Sequence, residues 1–347
     1  MKLSVHLVTW NGAKYVPQLF ASLKNQTFKD WKLVIWDNHS QDGMVDAMKQ
    51  ELQSFPFAYE LIEKEENSGF AGGHNALFKQ TESEYFCCLN QDLFLQPDCF
   101  EKLVKFLDEQ SDVAVVSPRL MRWDFAGAEH FTNEIDSLGL QVYRSRRVRE
   151  QYSNQNWDIV KASLSSDKRF QKNQNLLEVF GVSGTIPIFR RSLIESVCFS
   201  DGTFFDESYH SYKEDVDLAF RLRLAGYRAF ICLDAVVHHD RSAAGPKETT
   251  DSAAAENKKK QSEWVKYNSY KNHLMTLYKN ELWQNFVLDF PFILWYEGKK
   301  FVWLFLFERK VLKGLLEIKK MKTELKSKRA QILKNKKINW KNLRKWW

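Results

Sequence analysis

An α/β fold, with a doubly wound and mostly parallel sheet followed by a helical, aromatic and basic extension, is what this sequence predicts. Short apolar runs alternate with stretches of helical spacing, and that exchange is the signature of strands joined by crossover helices. Polar residues follow the apolar runs at several points, as they do where strands end on a common ligand-binding rim. The charge is also partitioned. The net +7 of the 347 residues conceals 28 Lys and Arg against 37 Asp and Glu over 1–257, and 23 against 7 over 258–347.

Strands are expected at LSVHLVTW (3–10), WKLVIW (31–36), FAYELIE (57–63), YFCCL (85–89) and VAVVS (113–117), with helices over 14–25, 41–54, 70–80 and 98–108. Strands this continuously apolar are buried on both faces, so helices must cover both sides through right-handed crossovers. From 122 to 180 the regularity fails around the Arg-rich YRSRRVREQYSNQNW, which reads as an insertion or lid, and strands resume near 179–189. EDVDLAFRLRLA (214–225) then gives a helix ending at Gly226, and YRAFICL (227–233) a strand. The implied division is a catalytic unit over 1–241, a small-residue flexible junction over 242–256, and a helical extension over 257–347.

Composition excludes several classes. With 44% apolar and 27% charged residues the chain is not intrinsically disordered. Its five cysteines form no CxxC pair, which points to a reducing compartment. The N-terminal apolar run is too short for a signal peptide, and the longest apolar runs, FPFILWY (290–296) and FVWLFLF (301–307), fall well short of the ~18–25 residues that span a bilayer. There is neither GxGxxG after the first strand nor GxxxxGK[ST] anywhere, so nicotinamide and P-loop assignments lose their usual support.

The candidate chemistry lies on the expected rim. Asp37, in Asp37-Asn38-His39-Ser40, offers a carboxylate to a base or sugar, and Asp92, in Asn90-Gln91-Asp92, a carboxylate to a divalent ion that would bridge it to a diphosphate. ENSGFAGGHNA (66–76) places three glycines before a helix, as a phosphate cradle requires, with Asn75 as a sugar or phosphate donor. Each of these also fits an ordinary turn or helix cap. Glu214 and Asp215 start a helix, where a capping role competes with a general base at Asp215. His238 and His239 end an apolar strand and must point in opposite directions, so one can face a metal while the other cannot.

Taken in order, these segments resemble the inverting family-2 glycosyltransferases of GT-A fold, in the branch that contains rhamnosyltransferases and galactofuranosyltransferases, over about residues 3–240. The resemblance implies a nucleotide site on Thr9, Asn11 and Asp37. It maps the branch's Asn-Gly-Phe-glycine-Asn signature onto Asn67, Gly69, Phe70, Gly72, Gly73 and Asn75. The family's acidic metal motif falls on Asn90, Gln91 and Asp92, keeping only the final carboxylate; Mg²⁺ or Mn²⁺ is the implied cofactor, with His238 as the late metal ligand and His239 as the register alternative. Asp215 takes the place of the base, with Glu214 beside it. The implied donor is dTDP-L-rhamnose, or failing that a UDP-sugar such as one for galactofuranosyl or glucosyl transfer. The implied acceptor is a polyprenyl-diphosphate-linked saccharide of lipopolysaccharide or another surface polysaccharide.

Three other functions compete. A nucleic-acid binder would need a coherent recognition module that this chain lacks, and a nucleotidyltransferase a triphosphate loop. A non-catalytic carbohydrate-binding relative is opposed by the joint presence of Asp37, Asp92, Asp215 and His238. In the extension, short aromatic helices between 286 and 307, interrupted by Asp289, Glu297, Lys299 and Lys300, are expected to lie in a membrane interface, with the lysines beyond them on anionic lipid. That places the chain peripherally on the cytoplasmic face of the cell membrane; oligomerisation through 257–307 is left open, as is a core-packing role.

Overall fold

A computed structural model describes residues 1–125, 130–171, 175–240 and 261–347. The first half alternates as expected, apart from an additional short strand, β5. It runs β1 (Leu3–Thr9), α1 (Val16–Lys24), β2 (Trp31–Asp37), α2 (Met44–Leu52), β3 (Ala58–Glu63), α3 (Gly69–Gln80), β4 (Tyr85–Leu89), β5 (Leu93–Leu95), α4 (Cys99–Glu109) and β6 (Val113–Asp124). The intervening region, read from sequence only as an insertion or lid, contains β7 (His130–Ser137), the hairpin β8 (Leu140–Val142) and β9 (Val148–Glu150), α5 (Trp157–Leu164), β10 (Phe170–Gln171) and β11 (Leu176–Glu178). Then come β12 (Ile188–Arg190), α6 (Arg191–Glu195), α7 (Glu214–Leu224) and β13 (Arg228–His239).

Among the described residues these strands form an eleven-stranded sheet whose main path is β10-β11-β13-β6-β12-β4-β1-β2-β3, with β5 on β13 and β7 on β6. β4-β1-β2-β3 and β13-β6 are parallel, and β12 is antiparallel between β4 and β6. Both faces are buried, and β4 shows why its run is continuously apolar: Tyr85, Cys87 and Leu89 enter one core cluster while Phe86 and Cys88 enter another. The five cysteines are free thiols.

The junction expected over 242–256 lies outside the described residues. Beyond it come α8 (Glu263–Asn280), α9 (Trp283–Phe307), α10 (Lys313–Lys320), α11 (Lys322–Lys334) and α12 (Trp340–Arg344), of which α8 and α11 join the sheet-bearing half through buried ions. Lys279 Nζ on α8 bridges Asp206 at 2.5 Å and Asp217 at 2.9 Å, and Lys328 Nζ on α11 reaches Asp206 at 2.6 Å. Arg221 completes the group, 3.0 Å from Asp217. Part of the extension's positive charge therefore neutralises carboxylates of the acidic half.

The short helices expected between 286 and 307 are one 25-residue helix, α9, which passes through Pro291. No helix among the described residues is long and apolar enough to cross a membrane. Of the four polar residues read as interruptions, Asp289, Glu297 and Lys300 turn inward, while Lys299 lies over the exposed Trp295 ring. Asp289 is fully buried, and Glu297 bonds His273 Nε2 at 2.7 Å and Lys300 at 3.2 Å. The outer face stays apolar, with Trp283 and Trp295 each 69% exposed and Phe307 70%.

Candidate active site

The ends of β1, β2 and β4 meet on one rim because their registers align Thr9 with Asp37 and Leu7 with Leu89. Asp37 is buried, and its carboxylate accepts from Thr9 Oγ1 at 2.8 Å, Ser40 N at 2.9 Å and Ser40 Oγ at 2.6 Å. Ser40 Oγ in turn accepts from Asn11 N, and Asn11 Oδ1 accepts from Gln41 N. Asp37 thus shapes the loop that a base would meet. Gln91 braces the same rim by bonding both Trp10 N and Trp10 O.

The glycine segment works differently from the expected phosphate cradle. Gly69 has φ +74°, and a Cβ there would lie 2.7 Å from His210 Nδ1, while one at Gly73 would lie 2.9 Å from a Val8 methyl. These glycines permit close approach of α3 to β1 and to the 209–213 turn. Two N–H groups at the start of α3 are already used, Gly69 N by Asn67 Oδ1 and Ala71 N by His210 O. Asn75 is likewise spent: its amide donates to Phe205 O and Glu207 Oε1, and its oxygen accepts from Phe204 N and Phe205 N. With all four capacities filled it clamps the 204–207 segment, where the sequence suggested a ligand contact. Gly72 packs on Ser68, and Phe70 stacks edge-on against His74 beside Gly184.

Of the histidine pair, His239 faces Asp92. Antiparallel pairing of β13 with β5 sets Leu93 opposite His239, and His239 Nε2 lies 3.3 Å from Asp92 Oδ2. Its Nδ1 is 2.9 Å from Asp136 Oδ2 on β7. Burial alone would lower the His239 pKa, but the two carboxylates overcome it and raise it to about 9. His238, the residue first matched to a metal ligand, points away: it stacks on Phe131 at 3.9 Å, and burial, aided by Arg119, lowers its pKa to about 4. The alternation of side chains along a strand separates the two. Among the described residues no three His, Cys, Asp or Glu side chains are grouped to hold a metal. Asp92 and His239 nonetheless suit a hard ion that draws its other ligands from phosphate and water, with Asp136 fixing the imidazole from behind.

Asp215, at the start of α7, is tied to the segment that follows β11. Its Oδ1 accepts from Val216 N at 2.7 Å and its Oδ2 from Gly184 N at 3.2 Å. One residue on, Thr185 O accepts from Asn90 N at 3.0 Å. The 184–185 step therefore ties Asp215 to the strand end that carries Asp92. Burial and the charge of Glu150 raise the Asp215 pKa against opposing Lys213 and the two N–H groups. Neighbouring Glu214 is buried with Oε2 unpartnered, and burial together with Asp215 raises its pKa to about 8.

The turn before α7 is strained, with positive φ at His210, Tyr212 and Lys213. Asn272 on α8 holds it: its Nδ2 lies 3.0, 2.9 and 2.7 Å from the carbonyls of Tyr209, Ser211 and Tyr212. Neither Asn272 nor Asp136 carries a sequence signal linking it to the cleft, since each arrives from a distant segment.

Glu214 makes a prediction about stability. It ionises near 4.5 when unfolded and near 8 in the fold, so the unfolded state sheds its proton first and stability falls as pH rises between those values. Glu214→Gln is expected to be more stable than wild type by on the order of 1–3 kcal/mol at pH 8, with the gain gone near pH 4. Urea titrations at both pH values test this, and equal stability at pH 8 would contradict it.

The description "Glycosyl transferase family 2" belongs to the family model that matches residues 4–198. Among curated proteins, the O-antigen chain rhamnosyltransferase RfbN of Salmonella typhimurium is 26% identical over 245 residues, covering 70% of this chain and 67% of that protein. The poly(ribitol-phosphate) beta-N-acetylglucosaminyltransferase TarS of Staphylococcus aureus is 28% identical over 120 residues, 33% of this chain and 21% of that one. Two relatives from Bacillus subtilis are matched over about half their length, 45% and 54%. Among solved structures, the mannosyltransferase PcManGT from Pyrobaculum calidifontis, in complex with GDP-Man and Mn²⁺, aligns over 96% of this chain and 85% of that one, with TM-score 0.51 and 16% identity. S. aureus TarS 1-349 in complex with UDP aligns over 96% and 89%, with TM-score 0.50 and 16% identity. At these identities the structures speak for the fold.

Proposed function

The chain belongs to glycosyl transferase family 2, and from that membership we propose that its cleft transfers a sugar from a nucleotide donor to a saccharide hydroxyl with inversion at the anomeric carbon. The observation that carries this reading is the 184–185 step, which holds Asp215 by Gly184 N and the Asp92 strand end by Thr185 O. A base and a diphosphate site on opposite sides of one rim are what a single displacement needs.

The donor's base rests on the loop that Thr9, Asn11 and Asp37 shape, and its diphosphate lies toward Asp92. A Mg²⁺ or Mn²⁺ there would supply charge to offset that on the departing nucleoside diphosphate. Asp92 and His239 would hold the ion once His239 gives up the proton that its two carboxylates favour, with Asp136 accepting from Nδ1–H so that Nε2 faces the ion. Asp215 takes the proton of the acceptor hydroxyl as that oxygen attacks, while Glu214, protonated at neutral pH, leaves Asp215 as the charged partner. dTDP-L-rhamnose is the favoured donor, supported by the match to RfbN over two thirds of both chains. The likeness to TarS makes a UDP-sugar the second reading. The product belongs to a cell-surface polysaccharide such as lipopolysaccharide. Incubation of purified protein with each donor and a lipid-linked acceptor should release nucleoside diphosphate in a metal-dependent way. Release that is absent for every donor, or unaffected by EDTA and by Asp92→Ala, would contradict this.

The outer face of α9 supports peripheral attachment to the cytoplasmic side of the membrane, where such an acceptor is met. Trp295, Val302, Phe305 and Leu306 on it are each at least half exposed, which suits insertion at a membrane interface. Trp295→Asp combined with Phe305→Asp is expected to abolish flotation with phosphatidylglycerol vesicles; flotation equal to wild type would refute the attachment.

A further inference from the structure

Helix α8 meets the segment that carries Asp215 with a polar face. Asn272, Thr276, Lys279 and Asn280 stand at i, i+4, i+7 and i+8, the spacing of one side of a helix, and all four are buried. Each engages residues between 206 and 217. Lys279 bridges Asp206 and Asp217, Asn280 Nδ2 donates to Asp217 Oδ1 at 2.7 Å, and Thr276 Oγ1 lies 2.8 Å from Tyr209 Oη. Asn272 Nδ2 faces the carbonyls of Tyr209, Ser211 and Tyr212. Apolar packing of the same volume would hold such a junction at least as firmly, since buried polar groups gain little net stability from their bonds. What a polar face adds is a defined geometry.

We propose that Asn272 is a positioning residue for the reaction, supplied by the C-terminal extension, which sets the place of the base Asp215 through the turn at 209–213. It deepens the transferase reading and rests on it. Place is the first argument. Asn272 holds the backbone up to Tyr212, and the one residue between that turn and α7 is Lys213, whose φ is +73° and whose carbonyl starts the helix by accepting from Asp217 N at 2.9 Å. A shift of the turn therefore passes to the start of α7, where Asp215 meets Gly184 N. Strain is the second. His210, Tyr212 and Lys213 all have positive φ, a conformation that persists only where the surroundings over-determine it. One side is held by Ala71 N, which donates to His210 O at 3.3 Å. The other is held by α8, through Asn272 and through Trp264, whose ring lies edge-on to His210 at 5.7 Å and 5.8 Å from Tyr212. The third is the amide itself: Asn272 is fully buried, and its Oδ1 has no hydrogen-bond partner among the described residues, so the group is kept there for its donors. The family model ends at residue 198, well before this helix.

The test is steady-state turnover of the full chain with Mn²⁺, donor and acceptor, beside hydrogen exchange of the 209–217 amides. Asn272→Ala is expected to lower kcat by about 10–100-fold, as a small misplacement of a reacting group does, with the donor KM unchanged. On the Asp215→Asn background the same substitution should lower kcat no further, because a residue that acts through the base then has nothing to act on. Asn285→Ala, which removes an equally buried amide bonded to Trp340 O on α12, should weaken the fold to urea and keep the wild-type kcat. Asn272→Leu, which keeps the volume without the donors, gives the same reading if Asn272→Ala unfolds. Wild-type kcat in the Asn272 variants would overturn the proposal. So would a loss on the Asp215→Asn background as large as on wild type, or an equal loss in Asn285→Ala. Hydrogen exchange separates the proposal from the transferase reading, since the Asn272 variants should exchange the 209–217 amides faster whatever the reaction. A wild type that turns over no donor sinks the transferase reading; faster exchange in the variants then leaves the hold of Asn272 on the turn standing, and unchanged exchange overturns it.

Discussion

Asp215→Asn should lower acceptor-dependent release of nucleoside diphosphate by about 10²–10⁴-fold, the usual worth of a general base. Nucleotide binding with Mn²⁺ should survive, because Asp37, Asp92 and His239 are untouched. The amide keeps the size of the carboxylate, so the loss isolates proton acceptance from packing. Glu214→Gln, by contrast, should keep most turnover, since Glu214 is protonated at neutral pH and takes no proton. The pH dependence follows from the same pair. Asp215 is raised above the ordinary Asp value of 3.8, chiefly by burial, and must be ionised to act, so the rate should fall as pH drops through a midpoint above that value. Full turnover in Asp215→Asn would remove the proposed base.

The largest expected effect on stability belongs to Asp289→Ala. Arg144, Arg146 and Arg344 converge on this fully buried carboxylate at 2.9, 3.1 and 2.5 Å, and Trp347 Nε1 donates to it at 3.0 Å. Removing it leaves guanidinium groups without their common partner, at a cost of about 3–5 kcal/mol. Burial raises the Asp289 pKa, but the four donors prevail and hold it well below the carboxylate range. A depressed carboxylate contributes stability at and above its unfolded pKa, near 3.8, and loses it as pH falls toward the folded value, so wild type should lose this part in strong acid. Urea unfolding at pH 7 measures the effect. A loss below about 1 kcal/mol would show that these ion pairs do not hold the hairpin to α9.

What could be read from the residues depended on locality. Strand and helix periods in the first half follow from side chains meeting the core at every second or every third to fourth position, and β1 to β4 and α1 to α4 fall within a few residues of expectation, whereas the three-residue β5, paired non-locally with β13, was not foreseen. Asp92 and Asp215 were legible as carboxylates at element ends. The orientation of the histidine pair was not, because it is set by the register of β13 on β5, a non-local pairing. Asp136 and Asn272 were invisible for the same reason. Asn75 and the glycines were legible as a motif, but their work is packing, which only their contacts reveal. In α9, counting Asp289, Glu297 and Lys300 as breaks in an apolar surface inverted the geometry: those residues face the protein and the apolar ones face out. The +16 of the extension is also only partly an outward charge, since Lys279 and Lys328 are spent on Asp206 and Asp217.

The anomeric configuration of the product tests the central claim most directly. With the donor that supports turnover, the isolated glycoside should show, by NMR coupling constants, the anomeric configuration opposite to that of the donor, as direct attack by a hydroxyl deprotonated at Asp215 requires. Retention of the donor's configuration, or transfer of the nucleotide in place of the sugar, would contradict it.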